Sequence, residues 1–207
     1  MSPKATDTEE KLPTNLRRLD SLAILIRGDG DCGACTFDGS NLLLATNVSN
    51  SAVNNFIDDI MAFLKKVAKK SEEEAPEVDG TSTKQQRKAL IKKYFQYIDK
   101  SFIPEARKKI AFLSTNYSYR ENFEVALKNV TRSLVYAYLK PGSKNALEKS
   151  VAKAIREKRY TVVGIATADE RIHAEMKILQ TLVDSNKIVA GNEHYIGISK
   201  KCCLNCE

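Results

Sequence analysis

A mixed α/β fold, with its β segments split by a long run of helices, is what this sequence predicts. Three observations carry that reading. Two β-like stretches flank a turn between residues 21 and 47, a helical tract fills residues 50–158, and strand, helix and strand return between 160 and 199. Alternating β and α segments of this kind argue for an α/β layer structure with strands of mixed direction.

Residues 1–18 are polar and read as a flexible N-terminus. Leu22-Ala23-Ile24-Leu25-Ile26 is a continuous apolar run of strand length, and reads as a buried strand. Gly28-Asp29-Gly30-Asp31 makes a turn, and Cys32-Gly33-Ala34-Cys35-Thr36-Phe37 is small and extended. Asp38-Gly39 signals a hairpin leading into Leu42-Leu43-Leu44-Ala45-Thr46. Residues 21–47 therefore predict an antiparallel β unit.

The pattern then turns helical. Phe56, Ile60, Phe63, Leu64 and Val67 fall at helical spacing with lysines opposite them. Residues 71–83 are polar with Pro and Gly, and read as a solvated loop. Leu90, Tyr94, Tyr97 and Ile98 mark a helix that ends near Pro104, and a shorter one is expected over Glu105–Leu113. Phe123, Leu127, Val130, Leu134 and Tyr138 give the clearest helical stripe in the chain. Pro141-Gly142 breaks it, and Ser143 caps a further helix with Leu147, Val151 and Ile155 inward. Tyr160–Ile165 returns to β. His173–Val183 is helical with Met176, Leu179 and Val183 on one face, Asn186–Asn192 connects, and His194–Ser199 is a strand. One domain over residues 19–207, carrying residues 50–158 as a helical insertion, accounts for this order.

With 43% hydrophobic and 29% charged residues, the chain reads as globular rather than disordered. No apolar run of about 18 residues exists, so no membrane span or membrane partner is expected. The N-terminus lacks the apolar core of an export signal. The expected location is the cytoplasm, or a host cell reached through a specialised secretion signal as a toxin or effector. A net charge of +7 mildly favours a polyanionic partner such as nucleic acid. Four of the five cysteines form two Cys-x-x-Cys pairs, which in a reducing compartment suit metal or redox chemistry better than disulfides.

The chemistry concentrates near the C-terminus. His173-Ala174-Glu175 opens an apolar-periodic segment, and Cys203-Leu204-Asn205-Cys206 follows a strand-like run. One imidazole and two thiolates supply three zinc ligands and leave a fourth position for water. Glu175, two residues from the histidine, remains free to carry protons to and from that water. H-x-E followed by C-x-x-C is the pattern of zinc-dependent base deamination. The residues leave other arrangements open. Cys32, Cys35, Cys203 and Cys206 together could make a closed four-thiolate zinc site in a non-enzymatic interaction module, or Cys203 and Cys206 could be a redox pair. On the first reading Cys32 and Cys35 are ordinary core residues and Cys202 is a spectator.

Arg171-Ile172-His173-Ala174-Glu175-Met176 and the run Tyr195–Cys206 resemble the cytidine deaminase-like superfamily, and in particular its OTT-like branch of nucleic-acid deaminase homologues. The resemblance implies a cytidine deaminase-like mixed sheet in which His173, Cys203 and Cys206 bind Zn2+ and Glu175 is the proton shuttle. It also implies that Asn47, just after the second strand of the hairpin, contacts the substrate. The expected reaction is hydrolytic deamination of a cytosine or adenine base, in nucleic acid or a nucleotide, with an inactive nucleic-acid binder as the alternative. The helical insertion is a candidate surface for a protein partner. Two departures stand out. Cys202 replaces the usual proline before the first ligand cysteine, and the chain ends at Glu207 where the family fold continues, so a C-terminal truncation is expected.

Overall fold

The computed structural model describes residues 16–27, 32–47, 51–73, 83–97, 99–100, 104, 117–139, 146–164, 172–188 and 194–199. Its elements are α1 (Leu16–Ile26), β1 (Gly33–Phe37), β2 (Leu42–Thr46), α2 (Ser51–Glu73), α3 (Lys84–Tyr97), α4 (Tyr117–Leu139), α5 (Ala146–Arg156), β3 (Tyr160–Val162), α6 (Ala174–Asp184) and β4 (Gly197–Ile198). The four strands form one mixed sheet in the order β3-β2-β1-β4. β1 is antiparallel to both β2 and β4, whereas β2 and β3 run parallel.

The hairpin forms where Asp38-Gly39 demands it. Gly39 takes a positive φ of 94°, and the Asp38 carboxylate accepts the backbone N–H groups of Ser40 and Asn41 at 2.9 and 2.7 Å. Alternation along β1 and β2 then divides the interior in two. Cys35, Leu42 and Leu44 join a large core with α1, α2, α4 and α5 on one face. Cys32, Ala34, Leu43 and Ala45 join a smaller one with Ala174, Ile178 and Leu182 of α6 on the other. The central strands are covered on both faces, which is why β2 reads as the apolar run Leu42-Leu43-Leu44-Ala45 rather than as an alternating pattern.

The first expected strand is a helix. Leu22–Ile26 lies in α1, which begins at Leu16, so the β unit spans only residues 33–46. Leu19, Leu22, Ala23, Leu25 and Ile26 are all buried. A helix enclosed on most sides loses the polar face that marks helical periodicity, and its core looks like a strand. Two glycines permit this packing. A Cβ on Gly33 would stand 2.5 Å from the Ala23 carbonyl, and one on Gly197 would stand 2.4 Å from Leu19 backbone. The strands thus touch the α1 backbone directly. Asp20 completes the join by accepting hydrogen bonds from the Tyr195 hydroxyl and the Ile198 N–H.

Between β2 and β3 the expected helices form, and α2, α4 and α5 share one continuous core with α1 and the sheet. Helix α2 continues through Ser71–Glu73, where a loop is expected from the sequence, and the buried Ser71 hydroxyl is satisfied there by donating to the Val67 carbonyl at 2.8 Å. The helix expected over 105–113 and the Ser143 cap lie outside the described residues. β3 and β4 are shorter than the β stretches expected around them. Among the described residues no helix is long and apolar enough to cross a membrane.

Candidate active site

Helix α6 places the histidine and the glutamate. His173 is its N-cap, in an extended conformation (φ −63°, ψ 147°), and its carbonyl accepts the N–H groups of Met176 and Lys177. Because His173 has not yet entered the helix, its ring can turn toward Glu175 in the first turn. His173 Nδ1 lies 3.5 Å from Glu175 Oε1, with the imidazole 36% exposed and the carboxylate only 12%. A carboxylate at a helix N-terminus also meets the positive end of the helix dipole.

The other carboxylate oxygen faces Cys32. The Cys32 thiol donates to Glu175 Oε2 at 3.3 Å. Burial, then the neighbouring carboxylate, push this thiol up to about 11, so it stays protonated and remains a donor at neutral pH. Asn47 closes the hairpin at the same point. Its side-chain carbonyl accepts the Cys32 N–H at 3.0 Å, and its own N–H donates to the Cys32 carbonyl at 3.1 Å. Ser199, just past β4, bonds to both backbone groups of Gly33. Four segments distant in sequence thus meet at the N-terminus of α6.

Lys177 locks α6 to the hairpin. It is 4% exposed, and its ammonium donates to the carbonyls of Thr46 and Asn47 at 2.9 and 3.1 Å. Burial lowers its pKa. The inward face of α6 is therefore Ala174, Lys177, Ile178 and Leu182, whereas Met176, Leu179 and Val183, the face read from the sequence, lie exposed.

The structure brings together His173, Glu175 and Asn47, and adds Cys32 and Lys177. It separates the two cysteines of the hairpin. Cys35 is on the opposite face of the sheet and donates to the Leu19 carbonyl at 3.0 Å. Thiols on opposite faces cannot share one tetrahedral ion, so the four-thiolate arrangement does not form. Nor is Cys32 an inert filler, since it touches the carboxylate. Cys202, Cys203 and Cys206 lie outside the described residues.

Residues 172–207 match the family model described as OTT_1508-like deaminase. That segment is similar to the OTT-like deaminases. The matched stretch holds His173, Glu175, Cys203 and Cys206. Neither a curated protein nor a solved structure matches the chain.

Zinc is the metal that a deaminase-like segment implies. The donor set fits: one imidazole and two thiols are zinc ligands by type, and His173 presents a part-exposed ring that makes no cap hydrogen bond. Among the described residues no group of three His, Cys, Asp or Glu side chains is placed to hold a metal.

Proposed function

We propose that the protein is a zinc-dependent hydrolytic deaminase of a cytosine or adenine base, with nucleic acid as the substrate class. The observation that carries this is the Glu175 carboxylate, mostly buried between the His173 ring and the Cys32 thiol within a deaminase-related segment. His173, Cys203 and Cys206 would hold the metal. When bound, zinc supplies Lewis acidity that makes hydroxide accessible near neutral pH.

The protein's own groups do the rest. Glu175 takes a proton from the attacking water and delivers it to the ring nitrogen beside the amino-bearing carbon. It then passes the second proton to the departing amine, so that water and base become ammonia and the oxo base. Cys32 orients the carboxylate by donating to Oε2, leaving Oε1 on the His173 side. Asn47 has its side-chain carbonyl committed to Cys32, so its amide N–H2 is the part that meets the substrate.

Ammonia release from cytidine, adenosine and single-stranded oligonucleotides tests the reading. Glu175→Gln should lower the rate by about 10²–10⁴-fold with zinc content unchanged. Near-full activity in that variant refutes the mechanism.

A further inference from the structure

Helix α3 carries Lys84, Arg87, Lys88, Lys92 and Lys93 and no acidic residue, in a chain that holds 33 basic and 26 acidic residues. The four lysines are exposed and make no ion pair with a described residue. Lys84, Lys88 and Lys92 recur four apart, stacking like charges about 6 Å apart along one side of the helix. Such pairs destabilise a helix, and Lys84 in the first turn opposes the helix dipole. Helix α2 shows the ordinary solution, pairing Lys69 with Glu73 at 3.8 Å and Glu72 with Arg156.

The remaining side of α3 is committed to the fold. Its start is held by a capping box between Thr83 and Gln86. Tyr94 is buried with its hydroxyl donating to the Lys70 carbonyl at 2.6 Å, and Leu90, Ile91 and Phe95 pack on the helical core. Phe95 meets Tyr136 edge-on, and the exposed Arg132 lies over the Phe95 ring at 5.3 Å. With Leu90, Ile91, Tyr94 and Phe95 turned inward, the described large apolar side chains of α3 are not available to insert into a bilayer, whereas a row of cations suits a phosphate backbone. Lysines act as point charges, so such contacts hold a strand without reading its bases.

We propose that α3, with Arg132 beside it, is a nucleic-acid-binding face that grips the phosphodiester backbone without sequence preference. It lies on the helical side of the sheet, away from the His173–Glu175 site on α6, and does not depend on the deaminase reading. The probe is a labelled single strand of oligodeoxythymidylate, whose bases carry no amino group to deaminate. Anisotropy titrations over a range of salt should show binding by the full chain. Changing Lys84, Lys88 and Lys92 together to Gln should weaken it at least tenfold and make the log–log salt slope shallower by about 2, at roughly 0.7 per phosphate contact. Circular dichroism and the melting temperature confirm that the triple variant is folded, and Lys88→Glu with Lys92→Glu gives a second variant with the same expected direction. The proposal is overturned if neutralisation leaves affinity and slope unchanged, or if the parent ignores the oligonucleotide at low salt. It is also overturned if the parent ignores the oligonucleotide yet binds phosphatidylserine vesicles.

Discussion

Replacing Lys177 by Met removes one buried ammonium while keeping an unbranched chain of similar length. Two effects oppose each other. Burial already disfavours the charge, as its lowered pKa shows, so its removal relieves a desolvation cost. Against that, two carbonyls lose a charged donor, and a hydrogen bond to a charged group contributes about 1.5–3 kcal/mol. The Asn47 carbonyl is at a half-buried residue that water can reach, but Thr46 is 3% exposed and its carbonyl is left without this partner. Loss of a charged hydrogen bond at this buried carbonyl, partly offset by the relieved desolvation, gives an expected net loss of about 2 kcal/mol. For a domain of this size that lowers the melting temperature by roughly 4–8 °C. Thermal and urea unfolding measure it. Amide exchange should also quicken at Cys32, whose N–H is held by the Asn47 side chain. A Lys177→Met protein as stable as the parent, with Cys32 equally protected, refutes the claim that this lysine holds the hairpin to α6.

Metal analysis should find about one zinc per chain, lost on His173→Ala or Cys203→Ser. It should be retained in Cys32→Ala, where weaker positioning of Glu175 lowers turnover by roughly fivefold, as expected for a contribution near 1 kcal/mol from a weak thiol donor. Gly197→Ala should destabilise the fold by about 1–3 kcal/mol in urea titrations, because the added methyl meets α1 backbone rather than a side chain that could swing aside. The metal-free protein should weaken in alkali. Cys32 and Cys35 hold their protons more tightly folded than unfolded, so stability is intact below pH 9 and falls as pH rises from about 9 through about 11. Lys177, with its lowered pKa, acts in the opposite sense, so unfolding curves of Cys32→Ala and Cys35→Ala isolate the thiols.

Local patterns revealed what local forces decide. The α4 stripe at Phe123, Leu127, Val130 and Leu134 and the Asp38-Gly39 hairpin follow from spacing and turn chemistry, and both formed. Helix α1 was illegible because its surroundings, not its own alternation, determine which residues are buried. On α6 the sequence offered two faces. Met176, Leu179 and Val183 are the bulkier set, but the sheet takes Ala174, Ile178 and Leu182 and draws Lys177 in with them. The hydrogen-bonding need of the Thr46 and Asn47 carbonyls, absent from any hydrophobicity pattern, makes that choice possible. His173 and Glu175 announced themselves by type and spacing. Cys32 could not, since its partner lies 143 positions away.

Those long separations have a consequence for synthesis. Cys32 meets Glu175 across 143 residues, and Gly33 meets Ser199 across 166. At about 5–20 residues per second, the hairpin is synthesised roughly eight to thirty seconds before Ser199. The helices between β2 and β3 can collapse during that interval, yet the carboxylate has no thiol to meet and β1 has no β4 beside it. A nascent chain can therefore bury its helical core before Glu175 meets Cys32 or β1 gains β4. Assembly order alone keeps this cluster from forming until Ser199 has been made.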